Sequence, residues 1–151
     1  MKDGRPSLIR LINILYRRTQ VYTNGVLAKY QLSSGTYPFL LMLNGKEGIN
    51  QNQLSRELSL DKAASARAIK RLIDLGYLVK EGNREDSRAF NLFLTEKAKA
   101  VIPVVMAELH QWMDIITEGL REEERDLLAN LLGRVLENVK KYKSKRCGNE
   151  G

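Results

Sequence analysis

"INQNQLSRELSLDKAASARAIKRLIDLGYLVKE", residues 49–81, decides the fold. It holds two short helical patterns and the start of a strand. In the first, Asn50 suits an N-cap, and Leu54 and Leu58 share one face of a helix over 51–58. "SLD" breaks the period, and Asp61 offers the next N-cap. "KAASARAIKRLIDLGY" then predicts a helix over 62–75, ended by Gly76 in a left-handed conformation. Two helices joined by a turn of about three residues form a helix-turn-helix.

Two strands complete the motif. "YLVKE" (77–81) and "FNLFLT" (90–95) are short, β-branched or aromatic, and partly alternating, so they predict an antiparallel hairpin. The stretch between them, "EGNREDSRAF", carries Glu81, Arg84, Glu85, Asp86 and Arg88, far more charge than a tight turn needs. A helix-turn-helix with such a ribbon after it is a winged helix, and a long basic tip suits a narrow minor groove, where negative potential is concentrated.

The second helix can be read face by face at about 100° per residue. Ala68, Ile69, Leu72 and Ser65 point inward, while Ala63, Ala64, Ala66, Arg67, Lys70 and Arg71 point outward. Small residues beside long cations are what entry into a major groove requires. Arg67 is the candidate for a base edge, since its fork matches guanine; Lys70 and Arg71 suit phosphates, and Lys62 is a further DNA-binding candidate. Gln51, Asn52 and Gln53 open the preceding helix with amides and free N–H groups that can hold a phosphate. A single exposed cation on a helix is more often a solvated side chain, so the weight rests on the cluster.

On either side lie longer helices. Leu8, Leu11, Ile12, Leu15, Thr19, Tyr22 and Val26 recur with helical period after Ser7, a plausible N-cap. "SSGTYPFLLML" predicts a short helix over about 34–43 with Pro38 in its first turn, and "NGKEG" a turn. Thr95 suits the cap of a long helix from 96 to about 120, with Val101, Val105, Leu109, Trp112, Ile116 and Leu120 on one face. Pro103 within it predicts a kink or broken first turns. The last helix, about 122–143, starts with three glutamates and ends in lysines, matching the helix dipole. Its face is Leu127, Leu128, Leu131, Leu132, Val135, Leu136 and Val139. The expected architecture is mainly α with a small β-hairpin wing: one domain over 1–151, with helices at 1–30 and 96–143 around a winged-helix lobe at 33–95. The end helices carry more apolar face than that lobe can cover. They fit a homodimer built from both chain ends; a monomeric helical subdomain is the competing arrangement.

Composition narrows the function. The chain has 151 residues, a net charge of +7 and a pI near 9.6. That favours a polyanionic partner, with plain solubility as the bland alternative. Residues 62–88 hold seven basic against four acidic side chains. No apolar run approaches the ~20 residues of a membrane span, and no signal-peptide core is seen at the N-terminus, which predicts a cytoplasmic protein without a membrane partner. One histidine, one cysteine and no glycine-rich phosphate loop leave little for catalysis, so no catalytic residue is assigned. His110 reads as a core or interface residue, and neither it nor Cys147 forms a metal-ligand cluster; no metal or cofactor is expected.

Order and spacing together make the chain similar to the MarR family of winged-helix regulators. The resemblance rests on 49–81, on Asp86-Ser87-Arg88 as an Asp-x-Arg wing motif, on "LTEKA", and on "GLREEERDLLANLLGRVLENV". Ala98 stands where glycine is usual, and Arg121 where a Ser or Thr cap is common. The resemblance implies a homodimer on a pseudo-palindromic operator in double-stranded DNA, with Arg88 in a minor groove and Asp86 bracing it. It also implies repression relieved by a small aromatic or anionic effector in a cleft beside the DNA-binding lobe. Tyr16, Arg17, Tyr37, Trp112 and Met113 are the candidates to line that cleft; each also fits a plain hydrophobic core. A protein-interaction module or a nonspecific nucleic-acid binder are the competing functions.

Overall fold

The structure, a computed structural model, describes residues 6–82, 85 and 90–147. The elements run α1 (Leu8–Leu27), a 3-10 turn (Ala28–Tyr30), α2 (Tyr37–Gly45), α3 (Gln51–Glu57), α4 (Lys62–Asp74), β1 (Leu78–Gly82), β2 (Phe90–Leu94), α5 (Glu96–Ile116) and α6 (Glu122–Cys147). The chain divides into two compact units, Met1–Trp112 and Met113–Gly151.

Local chemistry sets most of the boundaries in the first unit. Asn50 Oδ1 accepts from Gln53 N–H at 2.8 Å and Asp61 Oδ1 from Ala64 N–H at 2.7 Å, capping α3 and α4. Thr95 Oγ1 accepts from Ala98 N–H at 3.2 Å at the start of α5. Gly76, at φ +80°, ends α4 as expected. Ser7 takes the N-cap position of α1, yet its side chain makes no capping bond. Pro38 lies in the first turn of α2, where its missing N–H has no cost. Pro103 is exposed within α5, and the helix runs on through it.

β1 and β2 pair antiparallel, Leu78 opposite Leu94 and Gly82 opposite Phe90. A third short piece joins them where the sequence suggested only a turn. Gly48 N–H donates to Leu92 O at 2.8 Å, and Leu92 N–H to Ile49 O at 3.0 Å. Gly48 has φ +84°, and a Cβ there would press on the Phe93 ring at 3.4 Å, so glycine serves both the turn and the close packing. The Glu47 carboxylate takes the Leu94 N–H at 2.8 Å.

The core of this unit is built from α2 (Phe39, Leu40, Leu43), α3 and α4 (Leu54, Ile69, Leu72), the hairpin (Leu78, Leu92, Leu94) and α5 (Ala98, Val101, Ile102, Val105). Leu27 and Leu32 close it from the end of α1. α1 is fastened to α5 by polar contacts. The Tyr22 and Trp112 rings stack with centroids 4.5 Å apart, Tyr22 Oη donates to Glu108 at 3.3 Å, and Trp112 Nε1 donates to Thr19 Oγ1 at 2.9 Å. The first half of α1 is different: Leu8, Ile9, Leu11, Ile12, Leu15 and Tyr16 are all exposed.

In the second unit, Gly119 at φ +81° makes the turn into α6. Arg121 holds the N-cap position without a capping side chain, and Glu124 reaches back to accept its N–H at 2.8 Å, half of a capping box. Leu128, Leu132, Val135, Val139 and Tyr142 succeed one another at steps of four and three residues, the spacing of a coiled-coil seam, and all are exposed.

Candidate DNA interface and effector cleft

α4 is a helix with two characters. Ser65, Ile69 and Leu72 are buried against the core, while Lys62, Ala63, Ala66, Arg67, Lys70 and Arg71 are exposed. Ala64 and Ala68 are half-buried, so Ala64, expected on the outer face, sits at its edge. Among the described residues, Lys62, Arg67 and Arg71 make no ion pair; Lys70 lies 3.9 Å from Asp74 across an exposed helical turn. A cation without an acidic partner costs little to redirect to a phosphate or base.

At the start of α3, Asn52 and Gln53 are exposed and Gln51 is half-buried. The Gln53 N–H is already satisfied by Asn50, and the Gln51 carbonyl accepts from Ser55 Oγ at 2.9 Å. The Gln53 N–H is thus committed to the cap, while the Gln51, Asn52 and Gln53 side-chain amides make no hydrogen bond among the described residues. Between α3 and α4, Ser59 N–H donates to Arg56 O at 3.1 Å and Leu60 N–H to Ser55 O at 3.0 Å. Ser59 has φ +55°, a left-handed conformation unusual for a residue with a Cβ. On the hairpin, Lys80 Nζ lies 5.0 Å from the centre of the Phe90 ring. Arg84, Asp86 and Arg88 lie outside the described residues.

A cleft of about 260 Å³ lies behind this surface. One face of α1 supplies Tyr16, Thr19, Gln20 and Thr23. Ser34 and Gly35 come from the segment before α2, and Tyr37 and Pro38 from its first turn. Leu58 and Leu60, from the α3–α4 connection, close the far side. The polar segment is held in place: Ser34 N–H donates to Asn24 Oδ1 at 2.7 Å, and Ser33 N–H to Thr36 Oγ1 at 2.9 Å. Gln20 Nε2 donates to Tyr16 Oη at 3.0 Å. Burial, and next the neighbouring Tyr16, push the Tyr37 hydroxyl above its ordinary pKa, so it stays protonated at neutral pH.

Of the five cleft candidates, Tyr16 and Tyr37 come together here. Arg17 is exposed and is not part of the lining. Trp112 stacks on Tyr22 and touches the cleft only through its bond to Thr19. Met113 belongs to the second unit and is half exposed. Sequence reasoning missed Gln20, Ser34, Leu58 and Leu60. The signal that could have found the α1 wall is the polar series Tyr16, Thr19, Gln20 and Thr23, spaced as one helical face.

The comparisons with known proteins agree with this geometry. A family model described as MarR family matches residues 30–89. The HTH-type transcriptional regulator BilQ of Clostridioides difficile (strain CD3) is 32% identical over 126 residues, covering 83% of this chain and 85% of that one. The chain belongs to the MarR family. A MarR transcriptional regulator from Methanosarcina mazei Go1 shares 35% identity and superposes with a TM-score of 0.84, over 88% of this chain and 96% of that one. A MarR-family regulator from Listeria monocytogenes, solved in complex with 26mer DNA, is 27% identical with a TM-score of 0.84, covering 89% of this chain and 90% of that one. As a MarR-family member the chain is a DNA-binding transcriptional regulator, a class without enzymatic function. No helix among the described residues is long and apolar enough to cross a membrane.

Proposed function

We propose that the protein acts as a homodimeric repressor on a pseudo-palindromic operator and is released by a small effector. The carrying observation is the apolar surface left on the end helices: seven large apolar residues in the first half of α1, and Leu127 through Val139 on α6. Exposed faces of that extent mark an interface, and a second copy is the symmetric solution. A twofold dimer carries two α4 helices, so its operator has two related half-sites about one helical turn or a multiple of it apart.

In this reading Lys62, Ala63, Ala64 and Arg67 meet the major groove, with Arg67 on a base edge. Lys70, Arg71 and the amides Gln51, Asn52 and Gln53 face phosphates. Arg84 and Arg88, with Asp86 as a brace, serve the wing on sequence grounds. A dimer seated across two grooves occupies DNA that other proteins need, which favours repression. The Tyr16–Tyr37 cleft beside the helix-turn-helix supports control by an effector.

Selection of bound DNA from a random pool tests the reading. Inverted half-sites at fixed spacing are expected; an enriched pool with one half-site or no consensus overturns it.

A further inference from the structure

Resting on the reading of α4 as the helix that meets the major groove, we propose that it recognises thymine as well as guanine. The methyl groups of Ala63 and Ala66 pack on the 5-methyl of thymine beside the guanine taken by Arg67. No side chain of this helix recognises adenine or cytosine by its amino group. The inference comes from the inventory of the outward face. Ser65, Ile69 and Leu72 are buried on the opposite side, and Lys62, Ala63, Ala66, Arg67, Lys70 and Arg71 are exposed. These six side chains are hydrogen-bond donors or methyl groups, and none is an acceptor. Two carboxylates border them, and both are committed. Asp61 Oδ1 accepts from Ala64 N–H at 2.7 Å, and Asp74, in the last turn, lies 3.9 Å from Lys70 Nζ. The Ser65 hydroxyl is buried in the core. Asparagine and glutamine, which pair with adenine through two bonds, stand on α3 at positions 51–53, where the proposed function gives them phosphates.

In the major groove guanine offers the acceptors O6 and N7, and thymine the acceptor O4 and a methyl group, whereas adenine N6 and cytosine N4 are donors. A protein donor pressed against a base donor leaves both unpaired as they shed water, which costs free energy. A face of cations and methyl groups therefore favours guanine and thymine edges. Ala63, Ala66 and Arg67 lie within about 100° of the helix surface and about 6 Å along its axis, on the order of two base-pair steps. The short alanines let the α4 backbone approach until methyl meets methyl. Arg67, which makes no ion pair among the described residues, reaches its base on a longer stem.

Base analogues in the operator selected from a random pool test this with the full-length protein. The position whose preference relaxes in Arg67→Ala marks the guanine, and the neighbouring two base pairs on each side are scanned. Uracil in place of thymine removes only the methyl group. At the thymine beside the guanine it is expected to weaken binding about fourfold, the worth of one buried CH₂ group. That penalty is expected to vanish in Ala63→Gly or Ala66→Gly, whichever faces the base. Glycine also loosens a helix, so Ala63→Ser and Ala66→Ser provide second variants: the added hydroxyl can accept from cytosine N4 and is expected to narrow the preference for thymine over cytosine. At the same thymine position, 5-methylcytosine is expected to bind about fourfold better than cytosine. 2-Aminopurine in place of adenine removes the N6 amino group from the major groove and is expected to be tolerated. Uracil accepted at every scanned thymine, or an equal uracil penalty in both glycine variants, overturns the methyl contact. Loss of binding with 2-aminopurine overturns the donor-only reading of α4. A pool without any enriched sequence marks failure of the regulator reading, whereas an enriched half-site whose thymines all accept uracil marks failure of this inference alone.

Discussion

Replacing Leu132 with alanine tests the proposed dimer where the apolar series on α6 is most regular. Leu132 sits in the middle of the four- and three-residue series on α6 and is 49% exposed on the single chain. Full burial of a leucine side chain contributes ~1.5–3 kcal/mol, so the exposed half leaves ~0.7–1.5 kcal/mol to be gained in an interface. A twofold axis uses the residue twice, giving ~1.5–3 kcal/mol per dimer, or about a ten- to hundredfold rise in the dimer dissociation constant. Sedimentation equilibrium over a range of concentrations measures that constant for wild type and variant. Far-UV circular dichroism checks that helix content is kept, and Val139→Ala, on the same seam, provides a second and milder probe. Unchanged dimer constants in both variants, or a wild-type chain that sediments as a monomer, would refute the assignment of α6 to the interface.

Other substitutions separate the remaining parts. Arg67→Ala is expected to weaken operator binding by ~1–3 kcal/mol and to relax preference at one base position, while Lys70→Ala lowers affinity for all sequences and reduces the salt slope by about one. Filter binding at several salt concentrations distinguishes the two. Ser65 Oγ is fully buried with no hydrogen-bond partner among the described residues, so Ser65→Ala is expected to be neutral or stabilising by up to ~1–2 kcal/mol in chemical denaturation; a clear loss would mean that the hydroxyl is paired. The folded Tyr37 hydroxyl ionises above its ordinary value of 10.0. Its contribution to stability is therefore complete below about pH 10 and is lost as pH rises through the folded value. Tyr37→Phe is expected to show a shallower fall in stability on the alkaline side, checked by urea melts from pH 8 upwards.

How much the sequence reveals depends on the range of the interactions involved. The caps Asn50 and Asp61 and the left-handed Gly76 act within one turn, so their residue types alone place α3 and α4. The hairpin is legible for the same reason. The pairing of residues 48–50 with β2 is not, because it joins segments some forty positions apart and one of them has the composition of a turn. Ser59 is equally hidden: its backbone is left-handed, with no glycine to announce it. In the cleft, periodicity misleads. Thr19 looks like a gap in an apolar stripe, but it belongs to a second face with Tyr16, Gln20 and Thr23. Thr23 can be buried because its hydroxyl bonds to the Thr19 and Gln20 carbonyls of its own helix. Arg17 stands out for its charge, yet one residue along a helix is about 100° of rotation, enough to separate it from the lining.

The energies required of an effector also favour the turn over the core as the moving part. Coupling between two sites is typically ~1–3 kcal/mol, comparable to one or two net hydrogen bonds. The α3–α4 turn contains bonds of that kind: Ser59 N–H to Arg56, Leu60 N–H to Ser55, and the Asp61 cap on Ala64. Weakening one of them is on the scale needed. Moving α4 as a whole would instead expose Ile69 and Leu72, and losing the burial of either costs ~1.5–3 kcal/mol before any repacking. Under the proposed effector control, the end of α4 that carries Ile69 and Leu72 would then be the anchor and the capped end the part that moves. Arg67 lies six residues beyond the Asp61 cap, so a rotation of the capped end would carry its exposed side chain with it.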